Sequence, residues 1–339
     1  MPRSERRLVD RIDQFQQRHP AVGVPLAIVY KYVDDGGPSL AAQITYYAFV
    51  SLFPILLLAS TILGIVLIGH PVLQQRVLES ALTQLPVIGD DLRRPQGLGG
   101  GPVGIVVGLL GALYGAMGLG QALQNAANTT WTMPRNQRSD PFVSRGKSLV
   151  LLGVIGLDVL ASTAVAGIVG GASVLGPLAS VGVLIGTLAV HVVAFGFVFR
   201  FATTRELTRR QVLPGASLAA AAWLGLQYGG VALIGHTVGR SSATNGVFAV
   251  VLGLLGFLYL TSVLLVLAME LDVVLVDRLH PRALLTPFTD NVVLTDADKR
   301  SYTALAETQA LKGFQHVEVG FEPSPAELAA DDVPEDDRT

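Results

Sequence analysis

The chain has no cysteine and little charge. Without cysteine there is no disulfide, no thiolate nucleophile and no cysteine metal site. Only 15% of its 339 residues are charged, against roughly 25% in a typical soluble domain. From Pro38 to Glu270 there are 12 Lys or Arg and 7 Asp or Glu, mostly bunched in a few places. The apolar stretches between the bunches exceed what a water-soluble fold of this size uses, which excludes an ordinary soluble enzyme. A formal net charge of −2 offers no basic field, so no nucleic-acid partner is expected. The apolar runs are continuous rather than alternating, which argues against a β-barrel. Half the residues are hydrophobic and the mean hydropathy is +0.51. What remains is an all-α fold, a polytopic helical bundle in a membrane.

A span needs about 20 apolar residues to cross about 30 Å of hydrocarbon. Six stretches qualify: about Leu40 to Ile68, Pro102 to about Leu123, Leu149 to Val169, Leu178 to Phe199, Val212 to Ile234, and Val247 to Met269. Counting Lys and Arg on alternate sides of these spans places 20 of the 24 on one side. The positive-inside rule makes that side cytoplasmic. Both termini are then cytoplasmic, as an even span number requires.

The expected organisation has three parts. Residues 1–37 are a cytoplasmic N-terminal segment without a signal-peptide cleavage site. In it Leu8, Ile12 and Phe15 recur at helical spacing among charges, as in a helix lying on the membrane surface or packed on the protein's own loops. Residues 38–271 form the six-helix domain, with an external amphipathic loop over 70–101. Residues 272–339 are a cytoplasmic tail that turns acidic after Leu284 and reads as disordered over its last 16 residues.

Lipid is as apolar as leucine, so small residues and polar contacts must draw membrane helices together. Gly104, Gly108, Gly111, Gly115 and Gly118 follow steps of 4, 3, 4 and 3, which makes one glycine stripe along the second span. That stripe predicts close helix packing, or a smooth seam along which a neighbour slides. Pro54 lies inside the first span, where it removes a backbone donor and predicts a kink.

Ionisable residues inside a membrane are the default functional candidates. Asp158 in the third span and His191 in the fourth both fall near the bilayer middle. They form a candidate polar pair able to relay a proton or bind a cation. The alternative is that each satisfies a near neighbour, such as Ser162 or Thr187. Glu270 and Asp272, at the inner end of the sixth span near the level of Arg200, are expected to make a structural ion pair there, with a substrate contact as the alternative. An uncharged group crowds the inner halves of two spans: Gln43, Thr45, Tyr46, Tyr47 and Ser51 in the first, and Gln121, Gln124, Asn125 and Asn128 in the second. With Glu270 these are the candidate lining of a polar cavity open to the cytoplasm or inner leaflet. Interhelical hydrogen bonding without a cavity is the alternative.

Motifs of soluble enzymes fail. Gly99 to Gly104 fits G-x-G-x-x-G but follows no strand and opens a span. Gly146-Lys147-Ser148 lacks the glycine-rich loop before it. The six histidines are scattered. No catalytic residue, metal site or cofactor is expected, and any transport is secondary or passive.

The segment from Ala41 through Gln43, Thr45-Tyr46-Tyr47 and Ser51 to Pro54 resembles the first-span signature of the YihY/BrkB integral membrane family. Gln121-Ala122-Leu123-Gln124-Asn125 through Asn128 to Trp131 is similar to a second element of that family. Leu213-Pro214-Gly215-Ala216, then Asn245-Gly246, Tyr259 and Ala268-Met269-Glu270-Leu271, resemble later ones, in the right order. The resemblance covers about residues 5 to 285. It departs at Leu113 to Leu119, which lacks a Trp and an Arg, and at Phe257, Leu258 and Ala268. The resemblance implies a six-span protein of the bacterial cytoplasmic membrane. The family has carried ribonuclease and virulence-factor labels, and some relatives are associated with envelope lipid export. These residues do not support a ribonuclease or any other enzyme. The leading expectation is a secondary transporter or an envelope-lipid handling or export protein, with membrane lipids as partners and a lipid or small molecule as substrate. The alternative is a non-transporting scaffold acting through the tail. Nothing in the sequence assigns an oligomeric state.

Overall fold

The computed structural model describes residues 3–66, 101–170, 177–238, 243–326 and 328. The described elements are helical. In chain order they are α1 (Arg3–Arg18), α2 (Pro20–Asp34), α3 (Gly37–Val66), α4 (Gly101–Thr130), α5 (Pro141–Gly170), α6 (Pro177–Ala202), α7 (Arg209–Val238), α8 (Ala243–Val276) and α9 (Asp296–Glu307), with a 3-10 turn at Arg135–Gln137. The external loop expected at 70–101 lies, but for Gly101, outside the described residues.

Helices α3 to α8 are 26 to 34 residues long, so each reaches about 40–50 Å at 1.5 Å per residue. They pack in a closed ring, α3 on α4, α4 on α5, and so on to α8, which returns to α3. Helix α4 also touches α6 and α8, which places it innermost. Within the described residues, Pro141–Val165, Val181–Ala202 and Val251–Val276 are each long and apolar enough to cross a membrane. Large apolar side chains point outward along them, including Leu157, Leu160, Ile185 and Val193, the last 73% exposed. Water would not tolerate so continuous an apolar exterior. Hydrocarbon does.

The interior is built instead from small residues. Ala41, Ala126, Ala127, Ala216, Ala220 and Ala268 are fully or almost fully buried. On the glycine stripe, Gly115 faces the Ser51 backbone of α3 and Gly118 faces the Tyr47 ring. Gly111 is half-buried. The surroundings of Gly104 and Gly108 lie outside the described side chains. Gly120, off the stripe, meets Ser148 of α5, so α4 is approached closely on two faces. A Cβ at position 115 would sit 2.6 Å from Ser51 Cα. Gly115→Ala should therefore push α3 from α4 and cost about 1–3 kcal/mol, read as a lower melting temperature in detergent. Gly118→Ala should cost less, because an aromatic ring can swing aside and a backbone cannot. Helix α3 continues through Pro54.

One end of the ring is dense with connections. The turn after α2, the segment 131–140, the segment 203–208 and the chain after Val276 all meet there. Lys31 reaches the α4 C-terminus, Asn128 holds Thr204, and Arg205 grips Asp277 through Nη1 and Nη2 at 2.8 and 2.7 Å. The same guanidinium lies 4.7 Å over the buried ring of Trp131.

Helix α1 docks at this end by its polar side. Gln16 donates to the Arg282 carbonyl at 2.6 Å, and Asp13 accepts from the Leu284 amide at 2.9 Å. Its apolar residues Ile12 and Phe15 are exposed. The segment 277–308 folds back on α1 and α2 around Arg282, which is wholly buried. Arg282 donates to Asp298, to Asp34 at 3.0 Å and to Ser301 at 3.2 Å. Burial works against the guanidinium charge, but Asp298 and Asp34 outweigh it and hold its pKa above the ordinary value.

Candidate functional site at the connected end of the bundle

Helix α2 buries a cation beside apolar residues. Ala27, Tyr30 and Lys31 are buried, whereas Val22, Val29 and Val33 are exposed. It ends where Gly36 adopts φ +68°, a left-handed value that glycine takes at no steric cost. The amides of Asp35 and Gly36 close this end on Lys31 and Val33, so α3 can start at Gly37. Lys31 and Asp35 are thereby held one turn apart, and both side chains are only 1% exposed.

The Lys31 ammonium donates to Asp35 and, at 3.0 Å, to the Thr130 carbonyl. The second contact satisfies an orphan carbonyl at the C-terminus of α4, where a cation is favoured. The third neighbour of the ammonium is Glu270 on α8, 3.7 Å away and wholly buried. The Asp35 and Glu270 carboxylates lie within hydrogen-bonding reach of each other. Burial alone would lower the pKa of Lys31, but Glu270 and Asp35 more than reverse this and hold the ammonium above its ordinary value. Burial pushes the Asp35 carboxyl up despite the pull of Lys31. Two acids and one base therefore lie buried together between α2, α4 and α8.

Glu270 does not pair with Arg200 as expected from sequence. Its ion pair is with Lys31, Arg200 is exposed, and Asp272 instead accepts from the Gly215 amide of α7 at 2.6 Å. The reason is packing. Helix α2, short and packed on α8, carries its lysine inward to Glu270.

The uncharged candidates divide. Gln124 is buried and donates to Gly120, Ser144 and Ser148, tying α4 to α5. Asn128 is buried and accepts from Thr203 and Thr204 beyond α6. Ser51 donates to its own helix at Ala48. Gln43 accepts from Asn125 at 3.0 Å, and Asn125 in turn accepts from Arg138 at 3.0 Å. Gln43, Tyr46 and Gln121 face outward, with the Tyr46 and Tyr47 rings edge to face at 5.1 Å. These residues share one end of α3 and α4 but not one common surface.

Asp158 and His191 do come together. His191 Nδ1 lies 2.9 and 3.0 Å from the two carboxylate oxygens of Asp158, joining α5 to α6. His191 Nε2 is buried without a hydrogen-bond partner among the described residues.

Three participants escaped the sequence reading: Lys31, Asp35 and Arg282. Lys31 did leave a trace, as the single cation that ends the apolar stretch from Ala21. Its partner Glu270 is 239 residues away in sequence, and no local pattern links the two.

Fold and site together define a helical membrane protein with an ionic cluster sealed into one end of its bundle. The family model described as Virulence factor BrkB matches residues 28–290, and the chain belongs to that family. Over 123 residues it is 27% identical to Inner membrane protein YhjD of Escherichia coli (strain K12), covering 34% of this chain and 36% of that protein. The chain thus aligns with about a third of that relative's length. No solved structure matches it. The family and the apolar helices fit a multi-pass protein of the cytoplasmic membrane. Lys31, Asp35, Glu270 and Arg282 fall inside the family match, and Asp298 falls beyond it.

Proposed function

We propose that this chain is a six-span protein with both termini cytoplasmic that moves or handles an envelope lipid or another small molecule. It is a non-enzyme in this reading and hydrolyses no nucleotide. The observation that carries it is the Lys31–Asp35–Glu270 cluster. Charges removed from water inside a membrane bundle are expensive, and those that persist serve substrate or ion pathways by default. The position of the cluster, where a short helix meets a span, suits an element that shifts during a transport cycle.

The test is mass spectrometry of lipid co-purified with the full chain. The expected result is one lipid class enriched over the membrane extract, with the enrichment lost in Glu270→Gln. Co-purified lipid matching the bulk membrane in both proteins would overturn the reading. Cleavage of RNA by the purified chain would overturn its assignment as a non-enzyme.

A second reading, a scaffold acting through its tail, draws on Phe288 and Phe314, which are 79% and 85% exposed. Truncation after Leu284 cannot test it, because the cut removes Asp298 from the buried Arg282. Substituting both phenylalanines with serine can. Loss of function in a protein that melts normally would favour the scaffold.

A further inference from the structure

The ionic cluster has an imbalance that the packing leaves open. With every group in its usual ionised form, the one ammonium of Lys31 faces the carboxylates of Asp35 and Glu270, a net charge of −1. The three side chains are between 0% and 1% exposed, so water does not screen that charge. Both Glu270 oxygens are buried and lack a hydrogen-bond donor among the described residues. The Lys31 contact at 3.7 Å is too long to supply one. A buried carboxylate with no donor is among the most costly arrangements a protein can hold.

Among the described residues, no other group nearby restores the balance. From α2, Tyr32 faces Glu270 and is neutral, and Asp34 adds further negative charge near Lys31 but is engaged by Arg282. From α4 the contribution is the Thr130 carbonyl, an acceptor. From α3, Thr45 donates to Ser262 of α8, a neutral pair. From α7, the Gly215 amide is taken by Asp272. On α8 itself Tyr259 lies by Tyr32. A metal cation is a poor remedy, because the Lys31 ammonium already stands between the acids and repels it.

We infer that Asp35 and Glu270 share one exchangeable proton, and that this cluster is a proton-binding site joining α2 to α8. The proton supplies the missing O–H donor between the carboxyl groups and makes the cluster neutral. On release, the O–H bond of the shared carboxyl breaks and the proton passes to water. Two like charges then face each other across the junction of α2 and α8. Helix α2, only 15 residues long and outside the ring, is the element that gives way. As the coupling ion of a transport cycle this rests on the proposed function; as a bound proton it does not.

The experiment is infrared spectroscopy of the full chain in lipid nanodiscs, reading the protonated-carboxyl C=O stretch through a pH titration in H2O and D2O. Wild type should show one titrating carboxyl band that is missing from Glu270→Gln. Asp35→Asn should lose the same band, since either carboxylate alone is neutralised by Lys31 and needs no proton. The double variant should lose no more than either single one. Lys31→Met should instead retain protonated carboxyl to higher pH. A wild-type spectrum without a band that Glu270→Gln removes overturns the inference, as does a band that survives in Asp35→Asn. If Glu270→Gln fails to fold, Asp35→Asn carries the same reading. Lipid enrichment without the band sinks the proton site and spares the proposed function, and the reverse outcome does the opposite.

Discussion

Replacing Asp298 with alanine should destabilise the connected end of the protein by about 3–5 kcal/mol, the usual result of stripping one partner from a buried ion pair. Asp298 is wholly buried and serves two structures at once. It closes the capping box at the start of α9, exchanging hydrogen bonds with Thr295. It also accepts from Arg282 and from the Ala283 amide. Its loss leaves the Arg282 guanidinium with Asp34 and Ser301 as its hydrogen-bond partners, in a place that water does not reach. Asp298→Asn should cost less, since the amide still accepts at the cap. The measurement is thermal unfolding in detergent together with trypsin cleavage after Arg278, Lys299 and Arg300, which should quicken as the segment detaches. Wild-type protection in Asp298→Ala would mean that the segment is held by other contacts. Truncation after Leu284 removes the same carboxylate and should reproduce the defect.

Lys31→Met should produce a loss of similar size, about 3–5 kcal/mol, by stranding two buried carboxylates. Methionine matches the length and packing of the stem, so the effect isolates the charge. The α4 C-terminus also loses its donor at Thr130. The loss should deepen as pH rises. Burial already pushes the Asp35 carboxyl up, and removing Lys31 takes away the charge that pulls it down. A carboxyl whose pKa is raised in the folded state adds stability at low pH, and that stability is lost as pH climbs through the raised value. Combining Lys31→Met with Asp35→Asn and Glu270→Gln should restore most of the melting temperature, because a neutral polar cluster owes no ion desolvation. A Lys31→Met protein that melts like wild type at every pH would show that the cluster is hydrated and weak.

Much of the fold was legible in sequence because hydrocarbon imposes a simple code. Runs of about 20 apolar residues can be read one at a time, and the glycine stripe marks its face by spacing alone. Gly115 against Ser51 and Gly118 against Tyr47 show what that spacing is for. The site was legible only where its residues look costly in isolation. Asp158 and His191 stand out as ionisable groups in apolar runs, and Glu270 closes a recognisable segment. Lys31 looks like an ordinary end to an apolar stretch, and Arg282 like one of several tail cations. Periodicity also could not say which side of α1 would dock. The apolar side of Ile12 and Phe15 is exposed, while Asp13 and Gln16 make the attachment.

The sequence by itself determined the class of protein, its helical character and its family. Each depends on composition, local periodicity or short motifs, which survive without coordinates. Only the tertiary structure decided which charges meet. Lys31 joins Glu270, Arg282 joins Asp298 and Asp34, and Asp158 joins His191 because helix packing sets those distances. A buried charge selects its partner by proximity in a medium that screens little, and proximity is a property of the assembled bundle.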